Sequence, residues 1–227
     1  VVQQLAHVIT VSRQSRLDIV DAFKRPESNI HIIPNGIDTD IFKPLPHVHR
    51  QHWRIITTAS SDQPIKGLSI LLNALAALRE QFPHVQLVVV GKLKEGGSTE
   101  AELKKLQLET AVQFISGIST EQLVQEYAQA SFAVVPSLYE GFGLPAGEAL
   151  ACGVPLICSD GGALPEVVGD AAYNVKAGDV GALAKVMAEL LNSDELRKQL
   201  SVAGRLHSLQ HLSWQVVAEQ LTAHYQT

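Results

Sequence analysis

Two carboxylates and two glycines come together in residues 137–148, which read SLYEGFGLPAGE. Glu140 and Glu148 are separated by seven residues and frame Gly141 and Gly143. Glycines there let the backbone bend tightly and come close to a ligand. Residues 146–152 continue as a helical run, and Pro145 suits the first helical position, where a missing N–H costs nothing. The amides of Phe142, Gly143 and Leu144 then fall at the positive end of a helix, a ready anion site. A carboxylate beside such a site is unfavourable unless it has hydroxyls to bind. One on each side of a pyrophosphate suits a ligand with sugar hydroxyls at both ends, a nucleoside diphosphate sugar. The plainer reading of Glu148 is that it merely complements the helix dipole. Lys66-Gly67 shifts the balance, because a lysine at a helix N-terminus opposes the dipole and points to an external anion. Its own plain alternative is a solvated loop lysine.

These residues need a scaffold, and the rest of the sequence supplies one. Short β-branched runs at residues 7–11, 29–34, 54–59, 85–91, 112–116, 132–136, 155–159 and 171–175 are expected strands. Several are nearly continuous apolar stretches, as in parallel strands covered on both faces. Between them lie amphipathic helices. Leu68, Leu71, Leu72, Leu75, Leu78 and Phe82 form one stripe. Val180, Leu183, Met187, Leu190 and Leu191 form another, with Asp179 as the expected N-cap. This alternation implies crossover units and an α/β fold with a doubly wound, Rossmann-like parallel sheet. Open sheets of that kind bind ligands at the carboxyl ends of their strands, where the Glu140 segment lies. The style breaks between Pro34 and His52, where a Pro-Asn-Gly turn signal is followed by prolines and histidines. That stretch reads as a linker, with the main sheet beginning near Trp53. The start at residues 1–4 reads as a cut inside a helix.

Lys66-Gly67, the EGFGLPAGEAL segment and Gly161-Gly162-Ala163-Leu164-Pro165-Glu166-Val167 together resemble family 4 (group 1) glycosyltransferases. Members have two facing Rossmann-like domains, the B-type fold, and this chain is similar to the C-terminal, donor-binding one. The resemblance runs essentially end to end. It implies that residues 1–34 are the remnant of an acceptor domain, with its last strand and helix, and that 35–52 are the interdomain linker. Residues 53–212 would then be the nucleotide-sugar-binding domain, and 213–227 a helix crossing back toward the acceptor domain. It also implies a retaining hexosyltransferase with no metal in its donor site. Glu140 and Lys66 are its catalytic candidates, Glu140 toward the donor sugar and Lys66 toward the diphosphate. The segment Gly141, Phe142, Gly143 and Leu144 would offer backbone to sugar and diphosphate, and Glu148 would bind the ribose. Where members usually carry an arginine before the lysine, this chain has Ser60 and Ser61. Two hydroxyls can bind a phosphate but do not neutralise it. The charge then falls to Lys66 with backbone help, or to another cation such as Lys92 or Lys94.

Composition narrows the alternatives. The formal net charge is −5 and no basic run exceeds two residues, so a nucleic-acid partner is not expected. Apolar runs are far short of the roughly 20 residues that span a bilayer. Peripheral membrane association of a full-length protein and self-association of this half both stay open. Cys152 and Cys158 lie in apolar stretches, which suggests a reducing, cytoplasmic setting. Cys152 is read as packing and not as a nucleophile. Asp38-Thr39-Asp40 spells a metal motif but sits in the linker, where a turn is the better reading. His47, His49 and His52, and the pair His207 and His211, lack completing ligands and read as surface histidines. The main rival is an NAD(P)-dependent oxidoreductase, since Gly141, Gly143 and Gly147 follow a strand and Asp160 lies about 20 residues on. Against it, Glu140 and Glu148 crowd the phosphate cradle with negative charge. A third class is a non-catalytic nucleotide-sugar-binding module.

Overall fold

All eight expected strands form, and six of them make one sheet. The computed structural model of the protein describes residues 5–226; the expected helix cut at residues 1–4 lies outside the described residues. The chain begins with β1 (Val8–Thr10), α1 (Arg13–Phe23), β2 (Ile30–Ile32), β3 (Gln51–Thr58), α2 (Leu68–Gln81), β4 (Gln86–Val90), α3 (Ser98–Lys105) and β5 (Val112–Ile115). It continues with α4 (Thr120–Gln129), β6 (Ala130–Val135), α5 (Leu144–Ala151), β7 (Leu156–Ser159), α6 (Leu164–Val168) and β8 (Tyr173–Val175). Three helices follow, α7 (Val180–Asn192), α8 (Asp194–His207) and α9 (Trp214–Gln226).

The large sheet is parallel throughout, in the order β5-β4-β3-β6-β7-β8. This is the doubly wound arrangement the alternation implied. The winding direction reverses between β3 and β6, and that is where such sheets open a crevice at their carboxyl edge. All six residues of β6 are buried, because helices cover both its faces. Phe132 and Val134 pack in the layer with α2 and α7, whereas Ala133 and Val135 pack in the layer with α5. This is the two-residue period of a strand divided between two cores. Leu68, Leu71, Leu72, Leu75 and Leu78 of α2 are buried as their stripe requires. Each contributes about 1.5–3 kcal/mol of apolar burial. Asp179 caps α7, its carboxylate accepting from the Ala182 amide at 2.8 Å.

Three boundaries differ from the sequence reading. First, β3 begins at Gln51, so the end of the Pro/His-rich stretch is strand. Gln51 pairs with Ala130, and the Arg50 guanidinium donates to the carbonyls of Ala130 (2.8 Å) and Gly153 (2.7 Å). Those partners are distant in sequence, and the local composition gave no sign of them. Second, α5 begins at Leu144 with Gly143 as N-cap, so Pro145 is the second helical residue. Third, β8 begins at Tyr173, after a tight 3-10 turn at Gly169–Ala171.

The first strands stand apart. β1 and β2 form their own two-stranded parallel sheet. The stretch after them is tied down: Ile37 is buried in the core, and its backbone bonds to Leu212 (2.6 Å) and Trp214 (3.2 Å). From there α9 reaches the small sheet, where the rings of His224 and His31 lie 4.3 Å apart.

Candidate functional site

The carboxyl ends of β3 and β6 carry the two candidate catalytic residues to one place. After β3 the chain makes a 3-10 turn, Pro64–Lys66, and enters α2 through Gly67. Gly67 has φ +67°, and a Cβ there would lie 2.0 Å from the Pro136 carbonyl oxygen. Only glycine lets the two segments approach that closely in that conformation. The Leu138 amide then donates to the Ile65 carbonyl at 2.8 Å.

This contact brings Lys66 Nζ to 2.9 and 3.1 Å from the two oxygens of Glu140, 74 residues away. The Ser137 hydroxyl donates to the same carboxylate at 2.7 Å. The Glu140 side chain is only 11% exposed, against 33% for Lys66. A carboxylate so enclosed needs its partners, since an unpaired buried charge costs several kcal/mol. Lys66 and Glu140 thus neutralise each other as an ion pair in this structure.

The segment Gly161-Gly162 supports Glu140 from behind. Gly162 has φ +66°, and a Cβ there would lie 2.3 Å from the Glu140 carbonyl oxygen. The Ala163 amide donates to that oxygen at 2.8 Å. Phe142 is buried in the core, Gly143 caps α5, and Leu144 opens it with its side chain exposed. The amides of Gly143 and Leu144 stand where helix geometry leaves donors without intrahelical acceptors, and that of Phe142 lies one residue before the cap.

Glu148 lies one turn into α5 and is half-buried. Burial pushes its carboxyl pKa up, partly offset by the Tyr127 hydroxyl, which donates to it at 3.3 Å. Tyr127 is itself buried and also lies 3.3 Å from Thr58 Oγ1. Its own pKa is raised well above the usual phenol value by burial first and by Glu148 second. Nothing in the local sequence marked Tyr127 as the partner of Glu148, 21 residues on, whereas Ser137 stands at the i, i+3 spacing from Glu140, a local signal the sequence reading did not use.

The two serines in place of the usual arginine diverge. Ser60 is exposed. The Ser61 hydroxyl donates to the Lys92 carbonyl (2.8 Å) and accepts from the Lys94 amide (3.0 Å), joining two strand-end loops. Both lysine side chains are exposed on that neighbouring loop.

The residues set aside have local roles. Asp38 accepts from the amides of Asp40 and Ile41, both at 3.1 Å, which makes a side-chain-closed turn. His52 bonds Arg197, and His207 bonds the Val167 carbonyl at 2.8 Å. Among the described residues no three His, Cys, Asp or Glu side chains are grouped to hold a metal ion. Burial pushes the thiols of Cys152 and Cys158 up to about 12, so neither is a nucleophile at neutral pH. No helix among the described residues is long and apolar enough to cross a membrane.

The family profile described as "Glycosyl transferases group 1" matches residues 44–207. The chain belongs to the group 1 glycosyltransferases. The dinucleotide oxidoreductase reading is thereby overturned, and Asp160, the acid that completed its spacing, accepts from the Ala177 amide at 2.7 Å. Similar curated proteins include an MMP alpha-(1->4)-mannosyltransferase of Mycolicibacterium hassiacum, 42% identical over 229 residues, covering 100% of this chain and 55% of that protein. A phosphatidyl-myo-inositol mannosyltransferase of Mycobacterium leprae is 31% identical, with 86% of this chain and 53% of that protein covered. The group 1 chain therefore spans about half the length of these relatives. Among solved structures, sucrose-phosphate synthase from Thermosynechococcus elongatus superposes with a TM-score of 0.85 at 27% identity, covering 99% of this chain and 58% of that one. HepE from Anabaena, solved with UDP and glucose, shares the fold with a TM-score of 0.85 at 20% identity, covering 97% and 63%.

Proposed function

We propose that this chain is the donor-binding half of a retaining glycosyltransferase that takes a hexosyl group from a nucleoside diphosphate sugar. The observation that carries the reading is the meeting of Lys66 and Glu140 at the β3–β6 switch point, beside the N-terminus of α5, which no side chain caps. There Lys66 and the amides of Phe142, Gly143 and Leu144 hold the diphosphate, and the Gly141 segment follows the sugar. Glu148 accepts from the ribose hydroxyls. Glu140, released from Lys66 as the phosphates take over that cation, faces the transferred sugar. As the bond to phosphate loosens, the sugar ring gains positive character and the carboxylate stabilises it. The diphosphate leaving group is balanced by lysine and backbone, so donor binding proceeds without a divalent ion. The exposed Ser60 hydroxyl adds a hydrogen bond, and Lys92 and Lys94, on the loop tied to Ser61, are the cations left to add charge.

Residues 1–34 then complete an acceptor domain, 35–52 link it to the donor domain of 53–212, and 213–227 return toward it. The acceptor, a glycan, lipid or small molecule, is held by that first domain. The setting is cytoplasmic, and any membrane association is peripheral and belongs to the two-domain protein. Two similar proteins are named mannosyltransferases, which makes a mannosyl donor the first to test; HepE was solved with UDP, which supports a nucleoside diphosphate in the site. Calorimetry with UDP, GDP and ADP, free and sugar-linked, with and without chelator, is the test. Binding of at least one, unchanged by chelator and without sugar transfer by this chain alone, is expected. No binding by any of them overturns the donor site. Robust transfer by this chain alone overturns the two-domain arrangement.

A further inference from the structure

The donor segment is held from outside as well as from beneath. The Gly141 carbonyl, next to Glu140, accepts hydrogen bonds from two hydroxyls on the other unit of the chain: Ser12 Oγ at 2.7 Å and Ser15 Oγ at 3.0 Å. Ser12 is 2% exposed. Its hydroxyl also caps α1, accepting from the Ser15 amide at 2.9 Å. A second contact runs the other way. Glu166, in the Gly-Gly segment that supports Glu140, accepts from the Arg13 amide at 3.0 Å and the Gln14 amide at 3.4 Å. A carboxylate at those amides also meets the positive end of the α1 dipole. Tyr139 and Asp18 make a third link. The start of α1 is thus clasped between the two segments that form and carry the site.

We propose that Ser12 and Ser15 are positioning residues for the donor segment, so that the shape of residues 140–144 depends on α1 being docked. The inference rests on the donor-site reading. Gly141 sits between the carboxylate assigned to the sugar and the amides assigned to the diphosphate. Two donors on its carbonyl hold that peptide plane, and with it the direction of the neighbouring amides. When α1 is withdrawn, the carbonyl loses both donors and the plane is free to rotate. Donor binding and the seating of the small β1–β2 unit against the large sheet are therefore linked. By reciprocity, a bound nucleotide strengthens that seating.

Capping and positioning are separable by substitution. Glycine is a fair N-cap, and alanine favours the helix interior, so Ser12→Gly with Ser15→Ala leaves α1 nearly as stable while removing both hydroxyls. Two readouts on the full 227-residue chain test the proposal. Amide exchange of residues 141–144, measured without ligand, is expected to accelerate about tenfold or more while residues 16–23 keep their protection. Affinity for the nucleoside diphosphate that binds the unaltered chain is expected to fall about three- to tenfold, the scale of one or two neutral hydrogen bonds. Using Ser15→Thr in place of Ser15→Ala returns one hydroxyl and is expected to recover part of both effects. Unchanged exchange at 141–144 overturns the clasp. Faster exchange with unchanged affinity overturns the link to binding. Faster exchange in a chain that binds no nucleotide keeps the clasp and refutes the donor site instead.

Discussion

Glu148→Gln sets two effects of one carboxylate against each other. The carboxyl is half-buried, and burial holds its pKa above the ordinary value, so folding disfavours its ionised form. The sign follows from linkage. A carboxyl whose folded pKa is raised contributes stability that is full below its unfolded pKa and is lost as pH rises through the folded one. Glutamine is neutral throughout and still offers an oxygen to the Tyr127 hydroxyl. The variant should therefore melt no lower than the unaltered chain at pH 7, with any advantage vanishing in acid. Binding moves oppositely. A carboxylate on ribose hydroxyls makes charge-assisted hydrogen bonds worth about 1.5–3 kcal/mol, so nucleoside diphosphate affinity should drop roughly ten- to a hundredfold. In the unaltered chain affinity should also weaken as pH falls through the raised pKa, and this pH dependence should disappear in the variant. Scanning calorimetry and titration calorimetry on one preparation read both effects. Affinity within twofold of the unaltered chain, with the fold intact, would refute the assignment of Glu148 to the ribose.

The other perturbations probe separate parts of the site. Glu140→Gln removes the ionic partner of Lys66 without touching the ribose side, so free nucleoside diphosphate affinity should not fall, while turnover of the two-domain enzyme should drop sharply; equal losses from Glu140→Gln and Glu148→Gln would show that the two sides are assigned wrongly. Gly67→Ala combines a left-handed backbone with a Cβ 2.0 Å from the Pro136 carbonyl oxygen, and should cost about 1–3 kcal/mol or more of stability together with nucleotide binding; a melting temperature unchanged within a degree counts against that contact. In α9, Val217 is buried but Trp214 is 55% and Tyr225 74% exposed, so the chain should self-associate or fray there. Exchange protection over 213–226 equal to that of β3 and β6 in a strictly monomeric sample would contradict it.

The group 1 fold was legible because its signals are local. The alternating β-branched runs and the leucine stripe of α2 follow strand and helix periods that a few residues suffice to display. The same holds for the Asp179 cap, the Asp38 turn and the glycine-led entry into α5, each set by backbone chemistry within one turn. Strand order is not local, and the site depends on it. Because β3 and β6 are neighbours, Lys66 meets Glu140 across 74 residues, and no spacing rule contains that number. The same winding puts Tyr127 behind Glu148, sends Ser61 to the Lys92 loop, and carries Ser12 and Ser15 to the Gly141 carbonyl. Even the start of β3 was decided at a distance, since Arg50 and Gln51 are fixed by carbonyl and strand partners some 80 residues or more away. Residue types and periods determined which elements form and which polar and charged groups each of them carries. Only the packing of those elements decided which groups face one another, because a hydrogen bond or ion pair requires atoms within about 3 Å, and only the tertiary fold sets such distances between remote segments.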